Sequence, residues 1–331
     1  MTSTECNIER DLALGMLRDM VFLRRFEQAC AEAYAEQKIR GSFRLYFGDE
    51  AVCTVVIRAL TDDDSVVATY REHGHALLRG IPAAAVMAEM FGRSNGCCGG
   101  RGGSMHLFDA RRKFYSGCAS GGGGLPLAVG LALADKMRGR SAVTACFFCD
   151  AATAGAEFHE ALHLAALWKL PVLFVCENNL YATGSRVPRH VATLDVRAES
   201  LAHGIAAEWA DGVDVLAVHS AARRAADAVR SGAVPHILEL RTCRFRAHSL
   251  PGHENGAAKG GVARRRVRDP IRLFTAKLRD IGMLDEAALL RVEDSVAAEI
   301  AAAAAAADAA PLESPDSLEP LGDAVYPESV P

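Results

Sequence analysis

The sequence contains no apolar run approaching the roughly 18 residues that a bilayer-spanning helix requires, which excludes a membrane-spanning chain. It also lacks a basic excess. Lysine and arginine number 37 against 41 acidic residues, a formal net charge of −4. A general nucleic-acid coat needs clustered cations against phosphate and is therefore excluded too. The single basic run, Arg264-Arg265-Arg266 with Arg268, reads as a solvated loop. Residues Met1 to Arg10 are polar and have no signal-peptide core, so a cytoplasmic address is expected. There is no internal repeat.

Half of the 331 residues are hydrophobic and 24% are charged, an ordinary balance for a globular protein. That length accommodates about two domains, or one large α/β domain with extensions. Ten cysteines are scattered through apolar or glycine-rich segments, which points to free thiols rather than a disulfide framework. Cys146 and Cys149 have the two-residue gap of a metal or redox pair. They lie, however, in the strand-like run Ala142 to Cys149, where positions three apart face opposite ways. A structural role is expected for them and for the adjacent Cys97 and Cys98.

Along the chain, apolar residues at Met16, Met20, Leu23, Phe26 and Cys30 keep a three-to-four spacing that predicts a long amphipathic helix over Leu12 to Gln37. A helix over Ala51 to Leu60, a short buried strand over Val66 to Thr69 and a helix over Ala83 to Phe91 follow. Two glycine clusters come next, Gly99 to Gly103 and Gly121 to Gly124. Glycine lets backbone approach a ligand or a neighbouring chain closely, but a mobile surface loop is the plain alternative. Later segments read as a strand at Ala206 to Trp209, a helix at Ala221 to Arg230, a strand at Ile237 to Leu240, and helices at Ile271 to Arg279 and Glu286 to Ala307. The expected division is an N-terminal helical segment (1–60), an α/β domain (61–269), C-terminal helices packing on it (270–310) and a proline-rich acidic tail (311–331).

The centre of the chain carries chemistry. Ser141 to Cys149 is an apolar run bounded by Asp150, Gly155 to Lys169 is an alanine-rich helix, and Val172 to Cys176 is a second apolar run ending in Glu177-Asn178-Asn179. Strand, helix and strand in that order form a right-handed crossover between parallel strands, and neither strand alternates, so both are buried on two faces. Ligands of such sheets sit beyond the carboxyl ends of the strands, where Asp150 and the two asparagines emerge together. A carboxylate beside an amide oxygen is a hard-oxygen site of the kind Mg²⁺ accepts while it also holds phosphate. Inside the crossover helix, His159-Glu160-Ala161-Leu162-His163 fits the H-E-x-x-H pattern of zinc hydrolases. No downstream residue offers the helix context of a third ligand, so these are expected to be polar positions on a helix.

Five segments together resemble a known family: Tyr70-Arg71-Glu72-His73-Gly74-His75-Ala76-Leu77, Gly100 to His106, Ala165 to Pro171, Glu177 to Tyr181, and Arg244 to Leu250. In order and spacing they look like the alpha subunit of the decarboxylating component of 2-oxoacid dehydrogenase complexes, of the pyruvate type. The resemblance covers Leu12 to Ala310. It implies a parallel-sheet thiamine-diphosphate-binding α/β fold with helices on both faces, and an α₂β₂ assembly with a beta subunit. That subunit supplies the glutamate facing the cofactor's aminopyrimidine, and a lipoyl-bearing acyltransferase component receives the acyl group.

Residue by residue, the resemblance assigns Mg²⁺ to Asp150, Asn179 and the carbonyl of Tyr181. It places Tyr70 and Arg71 beside the cofactor, Ala119 and Gly121 along its aminopyrimidine ring, and Ala151 and Ala152 along its diphosphate. His248 matches the family's active-site histidine. Its near-neutral intrinsic pKa suits proton transfer or polarisation of a substrate carboxylate or carbonyl.

Three positions depart from the family. Its Gly-Asp-Gly signature is Cys149-Asp150-Ala151 here, the stretch Cys118 to Gly124 is unusually glycine-rich, and Arg44 stands where the family has histidine. A guanidinium attracts a carboxylate but exchanges no proton near neutral pH. The alternatives that follow are an acyloin-cleaving or carboligating enzyme of the acetoin dehydrogenase type, and a degenerate subunit that only scaffolds its partner.

Overall fold

The structure, a computed structural model, describes residues 8–118, 120–182, 185–186, 195–245, 249 and 267–314. The chain opens with helix α1 (Arg10–Ala35), which buries Met16, Met20, Leu23, Phe26 and Cys30, the stripe that its periodicity predicts. Then follow α2 (Glu50–Arg58), β1 (Ser65–Thr69), α3 (His73–Leu78), α4 (Ala83–Met90), β2 (Phe114–Cys118) and α5 (Gly124–Met137). The crossover consists of β3 (Thr144–Cys149), α6 (Ala156–Leu167) and β4 (Val172–Asn178). A short ribbon of β5 (Tyr181–Ala182) and β6 (Ser185–Arg186) precedes α7 (Val196–Ala202), β7 (Ala206–Asp211), α8 (Val215–Gly232) and β8 (His236–Arg241). Helices α9 (Pro270–Asp280) and α10 (Glu286–Ala309) complete the described elements.

Six strands form one sheet in the order β2-β1-β3-β4-β8-β7, with every pairing parallel. The fold is the α/β class with a parallel sheet that the crossover pattern implies. Alternation along the central strands feeds two cores. Phe147, Val175 and Leu238 face one side, packed with Met20 of α1, Val56 of α2, Val218 of α8 and Val296 of α10. Cys146, Phe148, Phe174 and Cys176 face the other, beneath Leu125 of α5 and Phe158 and Leu162 of α6. Cys149, the last residue of β3, is half-buried at the margin of this second core and does not cross to the opposite face, because the chain turns there into a short 3-10 helix over Asp150–Ala154.

From β1 the chain passes outward to β2 and then returns to β3 on the other side of β1. The carboxyl ends of β1 and β3 therefore flank the point where the strand order reverses, and an open parallel sheet forms its ligand crevice there.

Two readings need revision. The second glycine cluster is not all loop: Gly124 starts α5, against the sheet, where an added methyl would meet the Val67 side chain at 3.0 Å. The first cluster is an ordered coil wrapped on the buried carboxylate of Glu89. That carboxylate accepts from the backbone N–H of Cys98 (2.7 Å), Gly100 (2.8 Å) and Gly102 (2.6 Å). The start of the tail lies on this coil, with Ser94 N–H donating to Pro311 O at 2.9 Å and Arg101 paired with Glu313.

Asp64, just before β1, shows how the sheet is tied at its other end. Its buried carboxylate accepts from Val143 N–H (2.8 Å), Thr61 N–H (2.7 Å) and the Arg230 guanidinium of α8 (2.6 and 3.0 Å). Burial works against its charge, yet Arg230 and the two backbone donors hold the carboxyl below its usual range. A depressed carboxyl stabilises the fold above its unfolded pKa of about 3.9 and loses that contribution as pH falls through the folded value. Asp64→Asn should cost about 1–3 kcal/mol at neutral pH, and urea titration at stepwise lower pH should show the gap from wild type closing in the acid range.

Candidate active site

Parallel pairing of β3 with β4 sets Cys149 opposite Glu177, so Asp150 leaves the sheet beside Asn178, with Asn179 the next residue outward. Asp150 is 3% exposed, and neither of its carboxylate oxygens has a hydrogen-bond partner among the described residues. Burial pushes its pKa up to about 7, against the nearby backbone dipole of Leu180 and the Arg244 charge. A buried carboxylate in this state is a strong acceptor awaiting a cation.

The two asparagines differ. Asn178 donates from Nδ2 to Glu239 Oε1 on β8 (2.7 Å) and accepts at Oδ1 from Leu180 N–H (3.1 Å), which fixes its amide as a structural link. Asn179 is buried at the strand tip. Leu180 then takes φ +62°, a left-handed conformation unusual for a leucine, and turns the chain back into β5 at Tyr181. That turn brings the Tyr181 backbone back toward the end of β4.

Three guanidiniums gather at the neighbouring end of β1. Arg71 is fully buried and donates to Leu45 O. Burial first, then the Arg244 charge, lowers its pKa to about 10. The Arg44 guanidinium lies 4.7 Å from the centre of the Tyr70 ring, and its Nε and Nη1 are buried without hydrogen-bond partners among the described residues. Burial and Arg244 lower its pKa as well. Mutual repulsion of this kind is relieved by an anion, and guanidinium groups suit phosphate or carboxylate oxygens. A buried carboxylate without a hydrogen-bond partner among the described residues, near a cluster of guanidiniums, is a donor set that fits a metal–diphosphate pair.

Ala151 and Ala152 follow Asp150 in the 3-10 turn, which Thr153 closes with an Oγ1–H bond to Asp150 O (2.9 Å). Gly121 lies against this turn. A methyl built on it would sit 2.5 Å from Cys149 Sγ, so a side chain at 121 requires that thiol to turn aside. The departures at 149 and 121 are thus one coupled feature. Ala119 and His248 lie outside the described residues, as does the side chain of Tyr181.

Sequence reasoning missed the anchors behind the site. The imidazole of His73 joins Glu27 Oε1 (2.8 Å) to Ser104 Oγ (2.8 Å), and Ser104 Oγ accepts from Arg44 N–H (3.4 Å), so α1, α3 and the glycine coil all bear on Arg44. Tyr46 donates its hydroxyl to Glu177, whose pKa burial raises to about 8. Glu27 could have been found, since it is a charge on the buried stripe of α1. Arg244 could have been found as well, because it opens one of the five resembling segments.

This geometry can be set beside known proteins. The family described as "Dehydrogenase E1 component" matches residues 18–316. Pyruvate dehydrogenase E1 component subunit alpha-3, chloroplastic, of Oryza sativa subsp. japonica is 38% identical over 314 residues, covering 92% of this chain and 74% of that protein. Pyruvate dehydrogenase E1 component subunit alpha of Porphyra purpurea is 38% identical over 299 residues, 88% of this chain and 87% of that one. The protein of the same name from Rhizobium meliloti (strain 1021) is 39% identical over 296 residues, 89% and 84% respectively. Likeness of this depth over nearly the whole length, with the Asp150 strand tip inside the matched region, makes the chain a member of the dehydrogenase E1 component family.

Proposed function

We propose that this chain is the alpha half of a thiamine-diphosphate-dependent decarboxylase component. It acts on pyruvate with a beta subunit in an α₂β₂ assembly and passes the acyl group to a lipoyl-bearing acyltransferase. The observation that carries the proposal is the buried carboxylate of Asp150, whose oxygens have no hydrogen-bond partner among the described residues and which lies within the field of Arg244. The names of the relatives support both the 2-oxo acid and the role of an alpha subunit. No described helix is long and apolar enough to cross a membrane.

When bound, thiamine diphosphate supplies the electron sink that lets a 2-oxo acid lose CO₂. This chain's residues do the holding. Asp150, Asn179 and the Tyr181 carbonyl would ligate Mg²⁺, with the backbone at Ala151 and Ala152 along the diphosphate. Arg71 neutralises phosphate oxygens, and Tyr70 borders the group. Ala119 and Gly121 offer backbone to the aminopyrimidine, and His248 holds or moves a proton at the substrate. The beta subunit contributes the remaining face of the site.

Arg44 attracts the substrate carboxylate, but its guanidinium stays charged and cannot pass a proton during transfer to the lipoyl group.

Two outcomes test this in the chain co-expressed with a beta-type subunit. Asp150→Ala should weaken Mg²⁺-dependent retention of thiamine diphosphate by about 10–100-fold, read by calorimetry, and lower pyruvate decarboxylation in step. Unchanged retention and turnover would refute the proposal. Arg44→His should raise acylation of lipoyl domain relative to decarboxylation with an artificial electron acceptor, by about tenfold or more if a proton relay is restored. Equal ratios in wild type and variant would remove Arg44 from the transfer step, and formation of a hydroxyketone in place of acyl-lipoyl product would favour the carboligating alternative.

A further inference from the structure

The H-E-x-x-H segment of α6 acquires in the fold the partner that its sequence context lacks. His203, which caps the carboxyl end of α7, comes to 3.5 Å between its Nε2 and Nδ1 of His159, with ring centres 5.7 Å apart. That separation is long for an N–H···N hydrogen bond. It does match the span of about 3.3 Å between two nitrogens sharing a tetrahedral ion at roughly 2.0–2.1 Å. His163 follows His159 by four residues, so both project from the same face of α6. Glu199 precedes His203 by four residues, one turn earlier on α7. The His159 ring is held edge-on by buried Phe158, with centroids 5.3 Å apart, while His163 is exposed one turn further along α6.

We infer that His159, His163 and His203 form a binding site for one divalent transition-metal ion of the zinc type, separate from the hard-oxygen site at Asp150, that cross-links α6 to α7. Imidazole nitrogens select such ions over Mg²⁺, which prefers oxygen. The ion's place is structural: α6 leads out of the Asp150 turn, and α7 leads into β7, so a metal link between them fixes one flank of the sheet. Hydrolysis is not part of the inference. A second group, Glu89 with Cys97 and Cys98, has donor atoms within 4.8 Å of one another. Both oxygens of Glu89 already accept backbone N–H groups there, which leaves no carboxylate lone pair directed at an ion.

The test uses the full chain, stripped of metal and titrated with Zn²⁺ and then Co²⁺. One zinc per chain should survive gel filtration, and the cobalt form should show visible bands of a nitrogen–oxygen site without thiolate charge transfer. His159→Gln and His203→Gln should each weaken zinc binding by about tenfold or more and abolish the zinc-dependent rise in melting temperature. The metal-free melting temperature should stay unchanged. A Cys97→Ser, Cys98→Ser double variant should bind as wild type does. Failure to retain zinc, retention unaffected by the histidine variants, or loss in the cysteine variant would each overturn the inference.

Discussion

A carboxylate held out of water without a partner is the constraint around which this molecule is arranged. Asp150 leaves β3 at a buried strand tip, and nothing among the described residues satisfies its oxygens. Folding alone gains nothing from such a group, since desolvating a charge is costly and is recovered only when a counter-charge arrives. Arg44 and Arg71 carry positive charge where burial and the neighbouring Arg244 both disfavour it. Each half of the site is uncomfortable alone, and the metal with its diphosphate proposed above would relieve both.

Holding such charges in place falls to polar groups deeper in the fold. The Glu27–His73–Ser104 chain connects α1 to α3 and the glycine coil, and ends at the backbone of Arg44. Tyr46 and Glu177 join the segment before α2 to the end of β4. Arg24 binds Glu50 (2.5 Å) and Asp269 (2.9 Å), gathering the starts of α2 and α9 onto α1. Buried pairs of this type add little net stability compared with apolar packing, but they admit few alternative arrangements. The strand tips give direction, and these links give registration to the segments converging on them.

Much of this was legible in the chain. The crossover of β3, α6 and β4 is written as two apolar runs around an alanine-rich helix, and the end of its first run marks Asp150. β2 was not legible, because an edge strand reading Phe-Tyr-Ser-Gly-Cys has neither an apolar run nor a clean alternation. α5 was obscured since it starts inside a glycine cluster, and glycine argues against a helix unless the sheet demands close approach. Glu89 and His203 carry no local signal at all: a loop's backbone donors and a histidine on another helix are tertiary facts. Arg44 was visible as a departure from the family, but its position over Tyr70 required the fold.

The close approach of Gly121 to the thiol of Cys149 ties two distant stretches of chain together. A side chain introduced at 121 has to displace the sulfur from its present rotamer, toward or away from the Asp150 turn. Bulk on one wall of the crevice is therefore read out as a movement of the other.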